Sequence, residues 1–168
     1  GRAVPAIDGA RPVPMSGVKG EAMALPEHAD PAPRPLVTGP GGFAIARSDA
    51  LYIGSTADKT APHENTVTRD GLAALAGRCR KLTRVDPDAA RKRVWSGIRP
   101  AAPDGQPVVA PHPERPRVIL ALGHFKTGLS LAAGTADAVA ALAAGADPGP
   151  PWDAFGPQRL WTTHGANG

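Results

Sequence analysis

Cysteine is almost missing from this chain: Cys79 stands alone among 168 residues. One thiol excludes an intramolecular disulfide and any zinc site built on several thiolates, and it fits a reducing compartment. Aromatics are scarce too, with three Phe, one Tyr and three Trp. The basic run from Arg78 to Arg93 therefore has no interleaved rings on which nucleic-acid bases could stack, and it reads as a solvated face. No apolar run approaches membrane-spanning length. The N-terminus has neither the charged nor the apolar region of a signal peptide, so the cytoplasm is the expected location. His28, His63, His112, His124 and His164 show no H-x-H or H-E-x-x-H spacing, which argues against a metal site. No G-x-G-x-x-G or Walker spacing occurs. Gly39-Pro40-Gly41-Gly42 comes nearest, but no helix pattern follows it, and it reads as a turn.

Glycine and proline are plentiful, 20 of each, well above ordinary usage. They punctuate short periodic segments, which predicts many turns and no wholesale disorder. The length suits one domain of ordinary size. Nineteen basic and fifteen acidic residues leave a net charge of +4, which permits an acidic partner without requiring one. The chain opens at Gly1 and not at a methionine, and is read as a piece of something longer.

Taken in order, residues 1–17 form an irregular lead-in segment. Val18–Leu25 alternates weakly and suits a strand, and the proline-rich stretch 26–42 suits a loop. Phe43–Arg47 and Leu51–Thr56 read as a hairpin, with Phe43, Ile45 and Arg47 on one face. Thr68 can cap a helix whose stripe is Leu72, Leu75, Ala76, Cys79 and Leu82. Residues 94–99 alternate as a strand and lead to a linker at 100–116. Val118–Leu122 reads as a strand buried on both faces, as in a parallel sheet. A turn, Gly123 to Gly128, feeds a helix from about Leu129 to Ala144, with Leu131, Thr135, Val139 and Leu142 as its core stripe. Residues 146–168 are a tail whose last residues look frayed.

Two stretches can carry chemistry. On W-S-G-I-R-P-A-A-P-D-G-Q-P at 95–107, one strand face offers Trp95, the side-chain gap of Gly97 and the guanidinium of Arg99. A strand glycine marks a place of close approach, and a guanidinium beside it can grip a planar anion through two parallel hydrogen bonds. The second stretch is the strand-turn-helix at 118–145. It presents a helix N-terminus, with free N–H groups and partial positive charge, beside Lys126. Such a turn suits a phosphate, a carboxylate or a ring carbonyl that gains negative charge. Neither stretch supplies a nucleophilic triad.

In this order, V-K-G-E at 18–21, G-F-A-I-A-R at 42–47, L-Y-I-G-S-T at 51–56, W-S-G-I-R-P-A-A-P-D-G-Q-P at 95–107 and L-G-H-F-K-T-G-L-S-L at 122–131 resemble the C-terminal part of the FAD-dependent D-amino-acid oxidase family. The likeness is greatest to glycine oxidases, with sarcosine oxidases nearby. The resemblance implies an α+β and α/β architecture: a mixed antiparallel-sheet substrate domain at 18–99 and, at 117–145, the last strand and helix of a Rossmann-like FAD-binding domain. It implies FAD as cofactor and a small amino acid and dioxygen as partners. The resemblance further implies that the amine is oxidised to an imine that hydrolyses to an oxo acid and ammonia, with release of hydrogen peroxide, in the service of thiamine biosynthesis. Membrane and nucleic acid are not expected partners, and a homo-oligomeric parent is compatible with the reading.

By the same resemblance Arg99 is the carboxylate-binding arginine, and Phe43 and Lys126 also face substrate. The flavin-contacting turn is His124, Phe125, Lys126, Thr127, Gly128, Leu129 and Ser130. No general acid or base is required if the amine reacts neutral. Phe43 stands where glycine oxidases commonly have tyrosine, and Lys126 where they often have arginine, which cannot be matched by lysine as a planar fork. The half that would cradle the FAD pyrophosphate is absent, so this piece alone is expected to be inactive. The rival readings are the oxidase part of a bifunctional tRNA wobble-uridine modification enzyme, and a truncated, non-catalytic binding module.

Overall fold

The structure is a computed structural model. It describes residues 7, 9–30, 35–39, 41–60, 63–88 and 91–162, with the side chain of 162 left aside. Most of the lead-in at 1–8, Pro40 of the glycine-proline turn, and the last tail residues 163–168 lie outside the described residues. The chain divides into two compact units, Lys19–Ile98 and the remainder.

In the first unit the sheet runs β2-β3-β4-β1-β5, from β1 (Ser16–Leu25), β2 (Val37–Gly39), β3 (Gly42–Ala46), β4 (Leu51–Gly54) and β5 (Arg93–Ala101). β2 pairs antiparallel with β3, β3 with β4, and β4 with β1. β1 and β5 each continue past the unit boundary. The predicted hairpin forms, with Phe43 opposite Gly54 and Ala46 opposite Leu51. The stretch 26–42 is more than a loop: a 3-10 turn at Pro26–His28 and the edge strand β2 interrupt it. Three residues are too short for alternation to reveal a strand, and flanking prolines and glycines hide it further.

One helix, α1 (Arg69–Leu82), covers the sheet, and it begins as predicted with the Thr68 hydroxyl accepting from Gly71 N. Leu75 and Cys79 are fully buried against Met23, Leu25, Ala44, Leu51 and Ile53. Alternation along β3 and β4 then turns Phe43, Ile45 and Tyr52 to the other face. Tyr52 there meets Trp95 edge-on, at 6.2 Å between ring centroids. The start of α1 is fixed from β1. Glu21 Oε1 accepts from Thr68 N (3.0 Å) and Thr68 Oγ1 (2.9 Å) and pairs with Lys19 Nζ at 3.1 Å. Lys19 and Glu21 are each only 2% exposed.

The second unit contains β6 (Val108–His112), β7 (Arg115–Leu122), α2 (Ala132–Ala143), a 3-10 turn at Trp152–Phe155 and α3 (Gln158–Thr162). β6 and β7 form an antiparallel hairpin, with Ala110 opposite Leu120 and Val109 opposite Ala121. This corrects two expectations. The stretch 100–116 is not simply a linker, since it holds the end of β5 and all of β6. In addition, β7 pairs antiparallel and shows only Leu120 buried, with Ala121 exposed. Pro111, Pro113 and Pro116 disguise the hairpin as a link, yet the ladder accommodates Pro111 next to a register shift at Pro111/His112. Prolines are tolerated at such irregularities.

α2 also starts later than predicted, at Ala132, and its buried residue is Ala138. The residues before it spend their backbone groups on turns: Thr127 N donates to His124 O, Leu131 N to Thr127 O and Ala132 N to Leu129 O. The tail is built into the unit. Leu160 is buried with Val13, Ala102, Val108 and Leu120, and Trp161 Nε1 donates to Pro12 O at 3.0 Å.

Candidate functional site

Residues 99–130 of the second unit bring both chemical stretches to one place. Arg99 lies two residues before Ala101, and Ala101 forms an antiparallel bridge with His124, the first residue of the turn. The end of the arginine's strand and the start of the turn are therefore backbone neighbours. Ser16 Oγ donates to Ala101 O at 3.3 Å and steadies the same strand end. Desolvation lowers the Arg99 pKa from its ordinary value, which is the mark of a guanidinium drawn partly out of water.

The turn is tight. Gly123 is buried with φ +72°, and a β-carbon there would stand 3.3 Å from Ala102 N and from the Met15 side chain. Phe125 follows at φ 50°, a conformation uncommon for any residue but glycine and often found where function constrains the backbone. Lys126 is exposed and its Nζ lies 5.1 Å from the Phe125 ring centroid, within cation–π range. Thr127 Oγ1 donates to His124 O at 2.8 Å. His124 Nε2 shares a 3.0 Å hydrogen bond with Thr135 Oγ1, which ties the turn to α2. Burial lowers the His124 pKa from its ordinary value, so the neutral imidazole is favoured. Gly128 leaves room for approach, its nearest obstacle being His124 Cβ at 3.4 Å. Leu129 is 94% exposed and Ser130 is exposed beside it.

The donor set is a lysine ammonium and a helix start at Leu131 with no side-chain cap, next to an apolar side chain in the open. That combination suits the edge of a flat, partly apolar ring that carries negative charge at one side. It fits the pyrimidine edge of a flavin. Among the described residues no group of three or more His, Cys, Asp or Glu could hold a metal ion. No described helix is long and apolar enough to cross a membrane.

Phe43 belongs to the other unit. Its ring packs over Gly54, and a β-carbon on Gly54 would stand 2.5 Å from Phe43 Cζ. A β-carbon on Gly97 would meet no atom of the described residues within 4 Å. Trp95 is 43% exposed. Sequence reasoning missed Glu21 and Arg159, whose partners lie 47 and 55 positions away. No local spacing signals such pairs.

The chain is 36% identical to the bifunctional protein ThiO/ThiG of Synechocystis sp. over 90% of its own length and 24% of that protein. It is 32% identical to a glycine oxidase of Pseudomonas putida over 81% of this chain and 37% of that one. It superposes on the crystal structure of glycine oxidase from Geobacillus kaustophilus with a TM-score of 0.69 and 28% identity, covering 86% of this chain and 39% of that one. The chain thus spans less than half the length of these relatives. The antiparallel sheet and its few helices match that oxidase fold. Residues 3–142 match the family described as FAD dependent oxidoreductase, and the chain belongs to it.

Proposed function

We propose that this chain contributes the carboxylate fork and one flavin-facing turn of an oxidase that acts on the amine of glycine or a small amino acid. The observation that carries the reading is the Ala101–His124 bridge, which makes a partly desolvated arginine the neighbour of a cationic turn. In this reading Arg99 holds the substrate carboxylate bidentately. Lys126 and the backbone N–H groups of Gly128 to Ser130 oppose negative charge that develops on the far side of the reacting centre. His124 and Thr135 hold that turn in place, and Leu129 excludes water. Phe43, counted with the substrate-binding residues in this reading, carries no hydroxyl where a tyrosine would offer one.

FAD, when bound, supplies the two-electron acceptor, and dioxygen takes the electrons on to hydrogen peroxide. The substrate's α-carbon gives up a hydrogen with its electron pair and its nitrogen gives up a proton as the C=N bond forms, and water then hydrolyses the imine to ammonia and the oxo acid. Residues 18–99 serve as the substrate-binding part and 117–145 as the flavin-binding part. A place in thiamine biosynthesis belongs to this reading.

The basic stretch supports it over a nucleic-acid-modifying role. Arg80 pairs with Asp86 and Asp88, Lys92 with Asp88, Arg91 with Glu27 and Arg93 with Asp49. Cations already matched by carboxylates are poorly placed to neutralise phosphates. The test is peroxide and ammonia release over glycine, sarcosine and small D-amino acids, with FAD supplied, by the natural polypeptide that contains this chain. Equal yields of both products from at least one of them are expected with a primary amine. Absence of peroxide with every amine would refute the proposal.

A further inference from the structure

We propose that Arg159, on the five-residue helix α3, is a positioning residue for Arg99. It clamps the turn that ends the strand of Arg99, and the proposal rests on the functional reading above. Arg159 Nε donates to Asp104 Oδ2 at 2.6 Å and Nη2 to Asp104 Oδ1 at 3.4 Å, a two-pronged fork. The same Nη2 reaches Gln106 O and Pro107 O, both at 2.9 Å, and Nη1 donates to Gly156 O at 2.6 Å. All three guanidinium nitrogens are therefore spent between the β5–β6 turn and α3's own approach. A lysine cannot serve so many acceptors in fixed directions.

The turn has its own frame. Gly105 N donates to Ala102 O at 2.9 Å, and Gln106 N to Asp104 Oδ1 at 3.0 Å. Immediately before it stand Ala102, whose N is packed against Gly123, and Ala101, bridged to His124. Leu160, the residue after Arg159, is buried against Ala102 from the core side. Helix α3 thus grips the strand end twice, once through the core and once across the rim. Arg159 is only 23% exposed, while Asp104, at 37%, stands at the exposed rim of the turn. Arg159 acts through Ala101 and Ala102, and through them it sets where Arg99 and the start of the turn stand.

The test uses the natural polypeptide containing this chain, with Arg159→Gln, Arg159→Lys and Asp104→Asn. The readouts are KM and kcat for the oxidised amine, the Kd of glycolate as a carboxylate probe, and amide hydrogen exchange. Arg159→Gln is expected to raise KM and the glycolate Kd about tenfold, with kcat at saturation changed less than twofold. Exchange should quicken at residues 99–106 and 122–126, and Arg159→Lys should recover only part of the loss. If Arg159→Gln does not fold, Asp104→Asn, which keeps the shape of the turn, must show the same split between KM and kcat. A folded Arg159→Gln or Asp104→Asn variant with parental KM and glycolate Kd overturns the role of Arg159. A parent that neither binds glycolate nor oxidises an amine overturns the functional reading and this role together.

Discussion

The carboxylate of Glu21 fills the space that a β-carbon on Gly71 would need. A side chain from β1 has in effect replaced one on the helix, so α1 is capped by both its own Thr68 and a residue of the sheet beneath it. Alanine at 71 must push Glu21 off Thr68 and Lys19. Overpacking of this kind costs about 1–3 kcal/mol, and disturbing the buried pair adds to it. Gly77 of the same helix meets nothing within 4 Å among the described residues. Alanine there is expected to stabilise by about 0.5–1 kcal/mol through helix propensity. Denaturant unfolding of Gly71→Ala and Gly77→Ala should move in opposite directions; two variants of equal stability would contradict the packing.

Glu21→Gln keeps the shape but removes the charge that compensates Lys19. Loss of one partner of a buried pair costs about 3–5 kcal/mol. Adding Lys19→Met should restore much of this, because the pair and not each charge is what the site tolerates. A thermal shift series on the two single variants and the double variant measures it, and additive losses would refute the coupling.

The pKa of His124 lies below its ordinary value of 6.5 in the folded chain because burial disfavours the imidazolium. The unfolded chain then binds the proton more readily. This contribution to stability is complete above pH 6.5 and is lost as the pH falls below it towards the folded value. Replacing the imidazole by His124→Gln leaves a polar group long enough to take the place of Nε2 against Thr135. The variant should lose less stability than the parent between pH 7.5 and 5, read from Tm against pH. Parallel curves would refute it.

Arg99→Ala in the FAD-supplied natural polypeptide should lower kcat/KM by about 2–5 kcal/mol, the scale for removing one partner of a buried, hydrogen-bonded charge pair. Lys126→Met should slow reduction of the flavin more than it weakens substrate binding, as followed by stopped-flow absorbance. Unchanged efficiency in the first variant, or equal reduction rates in the second, would remove those residues from the site.

What could be read from the sequence was local. Thr68 announced the start of α1 because a hydroxyl cap acts within three residues, and Leu75 and Cys79 announced its buried face by spacing. The hairpin turn at 48–50 was visible for the same reason. The β6–β7 hairpin was not, since its pairing depends on a partner strand and its prolines argue locally against one. Glu21 and Arg159 were invisible for a different reason: their bonds to Thr68 and Asp104 join groups that only folding brings near. Arg99 and the 123–130 turn could be named separately, but only the bridge from Ala101 to His124 makes them neighbours.

Cys79, sealed between α1 and the sheet, gives the chain a reporter of its own. Burial raises its thiol pKa, with Thr83 and Val85 O in contact, and its side chain has no access to solvent. A thiol reagent can reach it only when α1 lifts from the strands. The rate of labelling therefore counts openings of the sheet unit, with no engineered probe and no second thiol within these 168 residues to confuse the signal.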